Sequence, residues 1–169
     1  MNSGTFAAFV ILSALCLAGQ ASAKSDTELP AGVRPLEAQA VAALYANKTV
    51  KFPDAKTGGF KFYFAPNYTI AAYAEDGSSI GAGRWHVADN EMCMETRWRS
   101  RLTSRSRPYR SCYAWFTDGG ADWTRVTRGP LRGNVYKGDA KLVSSGDQVG
   151  GAVAKIKATL ANVKFRPKR

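Results

Sequence analysis

Acidic side chains are scarce in this chain: 13 Asp and Glu stand against 24 Lys and Arg, a formal net charge of +11. At long range such a surface repels positive partners and attracts negative ones. Cysteine is scarcer still, with three in 169 residues, which excludes a fold built mainly from disulfides. The single histidine, His86, excludes any His-rich metal centre. A zinc site would have to combine His86 with two cysteines and a carboxylate, at a spacing that matches no zinc motif. No apolar run reaches the roughly 20 residues that cross a bilayer. No H-E-x-x-H, no phosphate-binding glycine loop and no internal repeat is present. These absences leave no catalytic residue to nominate and no cofactor or metal to expect. What is present is a globular composition, 45% hydrophobic and 11% aromatic, at the length of one domain.

Residues 6–18 read FAAFVILSALCLA, an uncharged apolar run followed by Ala21-Ser22-Ala23. This is the layout of a secretory signal peptide cleaved after Ala23, although no Lys or Arg precedes the run. Cys16 does not make a lipobox, because Leu15 occupies the position that wants a small residue. The expected location is therefore periplasmic or secreted. Since residues 1–23 contain no Asp, Glu, Lys or Arg, the exported part keeps the whole charge. It also keeps two cysteines, Cys93 and Cys112, and in an oxidising compartment an isolated pair forms one disulfide.

The expected organisation is a signal peptide over 1–23, a linker over 24–34, a helix plus β-meander over 35–130, and a Gly/Ser-rich loop, terminal helix and basic tail over 131–169. The first helix is expected over 35–45, with Pro35 in its first turn and Leu36, Ala40, Val41 and Leu44 as its apolar stripe. From Thr49 onward, short alternating segments are separated by turn residues. Phe60, Phe62 and Phe64 alternate with Lys61 and Tyr63, and further strands follow over 68–74, 80–87, 92–99, 109–117 and 121–128. The fold class is mainly β: an antiparallel meander forming a small barrel or a sandwich, lipocalin-like at most, with one disulfide. Residues 133–151 read as a long loop, and 152–163 as a terminal helix with Val153, Ile156 and Leu160 on one side.

The most unusual segment is RWRSRLTSRSRPYR, residues 97–110, with six arginines and no acid. If Cys93 and Cys112 face each other on adjacent antiparallel strands, Glu95 falls opposite Arg110, a favourable pair. Cys93, Glu95, Arg97, Arg99 and Arg101 then share a face with Arg110 and Cys112, while Met92, Met94, Trp98, Tyr113 and Trp115 form an apolar face. The hairpin tip is expected as a loop from about 101 to 108. One reading is a solvated hairpin whose charge blunts a sheet edge. The other is an anion-binding surface formed by Arg97, Arg99, Arg101, Arg105, Arg107 and Arg110, because guanidinium groups hold carboxylate and phosphate in a forked geometry. The tail residues Lys164, Arg166, Lys168 and Arg169 would assist. For an exported protein the expected partner is an anionic envelope polymer (acidic polysaccharide or lipopolysaccharide) or a membrane phosphate surface, with nucleic acid disfavoured.

Two other readings stand beside this non-enzymatic one. Trp85, Trp98, Trp115, Trp123 and the phenylalanine stripe could line a barrel interior for a small apolar ligand. An envelope enzyme or enzyme inhibitor is the other, with Asp89, Glu91 or Glu95 as carboxylates for hydrolysis. An inhibitor of a basic lysozyme is disfavoured by charge.

Leu44-Tyr45, Lys48-Thr49, Tyr63-Phe64-Ala65-Pro66, Gly81-x-Gly83-Arg84-Trp85-x-Val87-x-Asp89-Asn90, Cys93, Trp98 and Cys112 occur in that order. Over roughly residues 36–128 the chain resembles the domain-of-unknown-function family numbered nine-nine-five, small exported proteins of alpha-proteobacteria. It departs from that pattern at Val50 and Phe52, where such proteins tend to have tryptophan, and in the turn after Ala65-Pro66, which lacks the usual glycine. The resemblance implies export, a β-rich domain and a disulfide. It brings no activity, and so no catalytic residues.

Overall fold

A computed structural model describes residues 28–100 and 106–162, with the side chains of 160–162 excepted. The leader, Arg101, Arg105 and the basic tail with Lys164, Arg166, Lys168 and Arg169 lie outside the described residues. The strands are β1 (Arg34–Pro35), β2 (Lys48–Phe52), β3 (Phe60–Phe64), β4 (Thr69–Ala74), β5 (Ser79–Ala88), β6 (Glu91–Ser100), β7 (Ser106–Thr117), β8 (Asp122–Arg128), β9 (Val135–Lys137) and β10 (Val143–Ser145). Helix α1 is Ala38–Tyr45 and helix α2 is Gly150–Asn162, with a 3-10 turn at Ala140–Leu142. All pairings are antiparallel, in the order β10-β2-β3-β4-β5-β6-β7-β8-β9, and β1 pairs with β7 beside this path. The sheet curls into a half-barrel.

Alternation along the strands separates two faces. The concave face holds Phe62, Phe64, Ile70, Ala72, Trp85, Met92, Met94, Tyr113 and Val126, all buried, and α1 lies against them through Val41 and Tyr45. Tyr45 packs edge-on against Phe64 and Trp115, and its hydroxyl accepts a hydrogen bond from Trp115 Nε1 at 3.1 Å. Trp85 Nε1 donates to the Ala65 carbonyl at 3.0 Å. Tyr45 and Trp85 are thus buried with their polar atoms satisfied, and each contributes on the order of 2–3 kcal/mol of burial. The interior of the half-barrel is filled by these rings and by α1.

The other face is covered in part by α2. Val149 and Val153, with Ile156, pack on Ile80 and on Tyr63, Ala71 and Tyr73 of β3 and β4. The contacts of α2 fall on β4 and β5. Beyond β5 the outer face of β6 and β7 is left open.

Three expectations are corrected. The first helix starts at Ala38, not Pro35. Arg34 and Pro35 instead pair with Thr117 and Phe116, an edge position where proline's missing N–H costs nothing. The helix buries Val41 and Tyr45, four residues apart, while Ala40 of the expected stripe is exposed. Residues 133–151 are not one loop, because β9 pairs with β8 and β10 pairs with β2 within them. Residues 106–108, expected in the hairpin loop, instead belong to β7, where Ser106 pairs with Arg99 and Pro108 with Arg97. The terminal helix lies where it was read, beginning two residues earlier, and Val153 and Ile156 face the sheet.

Candidate anion-binding face

The turn at Asp89-Asn90 joins β5 to β6, with Asp89 in the left-handed region at φ 52°. It sets a register in which Ala88 faces Glu91 and Ser79 faces Ser100. On the other side, the Cys93–Cys112 disulfide, with Cα atoms 4.1 Å apart, joins β6 to β7. There Cys93 faces Cys112 and Glu95 faces Arg110, the pairing read from the sequence. Residues opposite each other in adjacent strands share a face, and four of the five rows that cross the three strands on this side bear on the site. They are His86–Cys93–Cys112, Arg84–Glu95–Arg110, Ala82–Arg97–Pro108 and Ile80–Arg99–Ser106.

Glycine makes this three-strand unit flat and tight. A Cβ on Gly83 would lie 1.9 Å from the Glu95 carbonyl oxygen and 2.7 Å from the Thr96 Cα. No side chain fits there without separating β5 from β6. On the concave side, a Cβ on Gly81 would meet the Trp98 indole at 3.1 Å, so this glycine gives the ring its seat. Tyr113 lies below the same unit, and burial pushes its phenol far above the ordinary tyrosine range.

Arg84, Arg97, Arg99 and Arg110 are all exposed on this face. One acid stands among them: Glu95 Oε1 accepts from Arg110 Nε at 2.9 Å, with both side chains about half exposed. The ordinary strand spacing of about 4.8 Å puts Arg84 and Arg110 about 10 Å apart on either side of Glu95, and Arg97 about 7 Å along the strand. Between them is a shallow depression of about 410 Å³, lined by Ala82, Gly83, Arg84, Glu95, Thr96, Arg97, Pro108, Tyr109 and Arg110. Small Ala82 and ring-closed Pro108 flank Arg97, so its guanidinium has no long neighbour in its own row. An anionic group placed here would meet three forked donors.

Of the arginines expected to act together, Arg97, Arg99 and Arg110 do share this face. Arg107 does not: it pairs with Trp98, which belongs to the concave side. Arg101 and Arg105 lie outside the described residues. Arg84 was missed. It sits in the G-x-G-R-W stretch on β5, and only the Asp89-Asn90 turn, extended as a two-residue hairpin, brings it level with Glu95.

The other candidates for chemistry are placed as follows. His86 is exposed and faces Cys93 across the strands. Asp89 is exposed in the turn, while Glu91 and Glu95 follow at alternate positions on the open face. Glu91 Oε1 accepts from the Thr127 hydroxyl. Trp123 lies under the Lys137 ammonium, 5.7 Å from the ring centre, and away from the interior.

No curated protein and no solved structure matches the chain. Residues 13–137 match the family described as protein of unknown function (DUF995), a longer stretch than the motifs alone suggest. The half-barrel, its disulfide hairpin and the glycines that seat it are therefore those of a chain that belongs to this family.

Proposed function

We propose that this is a non-enzymatic, exported protein that binds an anionic component of the cell envelope through the open face of β5, β6 and β7. Acidic polysaccharide, lipopolysaccharide and membrane phosphate are the component classes. One observation carries the reading: Arg84, Arg97, Arg99 and Arg110 lie on one exposed, disulfide-pinned face where, among the described residues, Glu95 is the acid in their midst and Glu91 lies further along β6. A surface built only for solubility would be served by charges of both signs in any arrangement. Here the donors converge on a depression with small apolar side chains between them. Export is supported by the apolar leader ending in Ala21-Ser22-Ala23 and by the disulfide, which persists in oxidising compartments.

The test is binding of the purified full chain to a panel of uronate polymers, lipopolysaccharide and anionic vesicles across a salt series. A variant with Arg84, Arg97, Arg99 and Arg110 all changed to Gln is run beside it. The expected result is salt-sensitive binding that disappears in a variant whose circular dichroism is unchanged. Equal binding by the folded variant overturns the proposal, as does no binding by either chain.

A further inference from the structure

Beside the arginine rows lies the row His86–Cys93–Cys112, and it holds a different chemistry. Glu91, Cys93 and Cys112 place a carboxylate oxygen and two sulfurs within 4.8 Å of one another. Glu91 Oε2 lies 3.3 Å from Cys93 Sγ, while its other oxygen is held by the Thr127 hydroxyl. The carboxylate is therefore aimed at the sulfurs and fixed from behind, the arrangement by which outer-sphere hydrogen bonds orient metal ligands. His86 pairs directly opposite Cys93 and is exposed; its ring lies outside that cluster and would have to swing in to give a fourth ligand.

We infer that, once the Cys93–Cys112 disulfide is reduced, Cys93, Cys112, Glu91 and His86 form a binding site for a divalent transition metal of the zinc class. Two thiolates, one carboxylate and one imidazole are a tetrahedral donor set for such an ion. Zinc–sulfur bonds of about 2.3 Å put two thiolate sulfurs about 3.8 Å apart, a separation within reach of side-chain rotation on directly opposed residues. Charge also balances. The complex carries one net negative charge, and near its row stand Arg84, Arg110 and, across from Cys112, Arg128, with Glu95 as the acid between the first two.

The redox step balances with an added dithiol as the reductant. A dithiol reductant gives two electrons and two protons to the disulfide and becomes a cyclic disulfide, leaving two cysteine thiols. Binding of the divalent ion then releases the two thiol protons to solvent. In the oxidised chain each sulfur is bonded to the other, and neither is a thiolate donor. The site is thus exclusive with the disulfide, and metal occupancy blocks reoxidation.

The experiment uses the full chain with Cys16→Ser, so that two sulfurs alone are counted. It is reduced with a dithiol, desalted without oxygen, and titrated with cobalt(II) and then zinc(II). The expected result is one cobalt per chain, with thiolate-to-cobalt charge transfer and tetrahedral visible bands. Zinc displaces it, and the oxidised chain shows neither signal. Glu91→Gln and His86→Ala each weaken zinc affinity at least about tenfold, Thr127→Val by about 10- to 100-fold, and zinc slows re-formation of the disulfide. The Cys93→Ser/Cys112→Ser chain, which cannot form the disulfide, reports on folding and is expected to show no charge transfer. The inference is overturned if the reduced chain binds no stoichiometric cobalt, whether it stays folded or loses its sheet signal. It is also overturned if the Glu91 and His86 variants bind as tightly as the parent.

Discussion

Replacing Glu95 by Gln should strengthen anion binding, an outcome that a merely solvated face would not produce. Glu95 is the one carboxylate between Arg84 and Arg110, and it holds the Arg110 side chain at 2.9 Å. An anion settling among the arginines about 7 Å away is repelled by about 0.6–1.2 kcal/mol at an effective dielectric between about 80 and 40. It must also draw Arg110 from an exposed ion pair worth about 0.2–1 kcal/mol. Removing both obstacles tightens binding by about 1–2 kcal/mol, or about 5- to 30-fold. Fold stability should fall by less than about 1 kcal/mol, since the pair is half exposed. The assay is binding of parent and Glu95→Gln chains to one anionic polymer at about 0.05 M and about 0.5 M salt. The gap should be wide at low salt and shrink at high salt as screening shortens the reach of the charge. If Glu95→Gln binds no better than the parent at low salt, the anion does not sit where the rows converge. The assignment of the face then fails.

Gly83→Ala should destabilise the fold by about 3 kcal/mol or more, read by urea denaturation, because its Cβ meets the backbone of β6 rather than a movable side chain. Tyr45→Phe removes the acceptor of the Trp115 indole N–H and should cost about 1–3 kcal/mol, with a shift in tryptophan emission. Reducing the Cys93–Cys112 bond should lower stability by about 3 kcal/mol through its short loop, leaving a folded domain at neutral pH. Glu75 is held below the usual carboxylate range chiefly by its hydrogen bond from Lys51 at 2.6 Å, with Lys61 assisting. A depressed carboxylate stabilises the fold above its unfolded pKa, near 4.5, and loses that contribution as pH falls through its lower folded value. Glu75→Gln should therefore flatten the stability profile in that acid window and change it little at pH values above it.

How far each element could be read from the residues depends on what fixes it. The β6–β7 register was legible because two independent pairs, Cys93 with Cys112 and Glu95 with Arg110, demand the same offset. Strands β3 to β8 were legible because apolar and polar residues broadly alternate along them, although Met92 to Met94 and Ser111 to Ala114 are buried in unbroken runs. The start of α1 was not, because Pro35 suits a helix N-terminus and a sheet edge equally, and only the pairing to Phe116 decides between them. Strands β9 and β10 carry three residues each, and Val143 to Ser145 are exposed throughout. Their order comes from partner strands, not from a pattern of their own. The candidate face was half legible. Arg97, Arg99 and Arg110 follow from alternation, and the same alternation, carried to Arg107, would have removed it from the set. Arg84 needed a third strand.

The two helices leave the sheet unequally clothed. Helix α1 packs on the concave side of β5, and α2 covers the outer face of β4 and the Ile80 end of β5, so a change at those positions disturbs packing. Across β6 and β7, only inward positions such as Met92, Met94 and Trp98 are bound to the interior. Outward positions 84, 95, 97, 99 and 110 are free to be rewritten without altering the scaffold. The charge pattern on display can thus change at every second residue of three adjacent strands while the skeleton beneath stays the same.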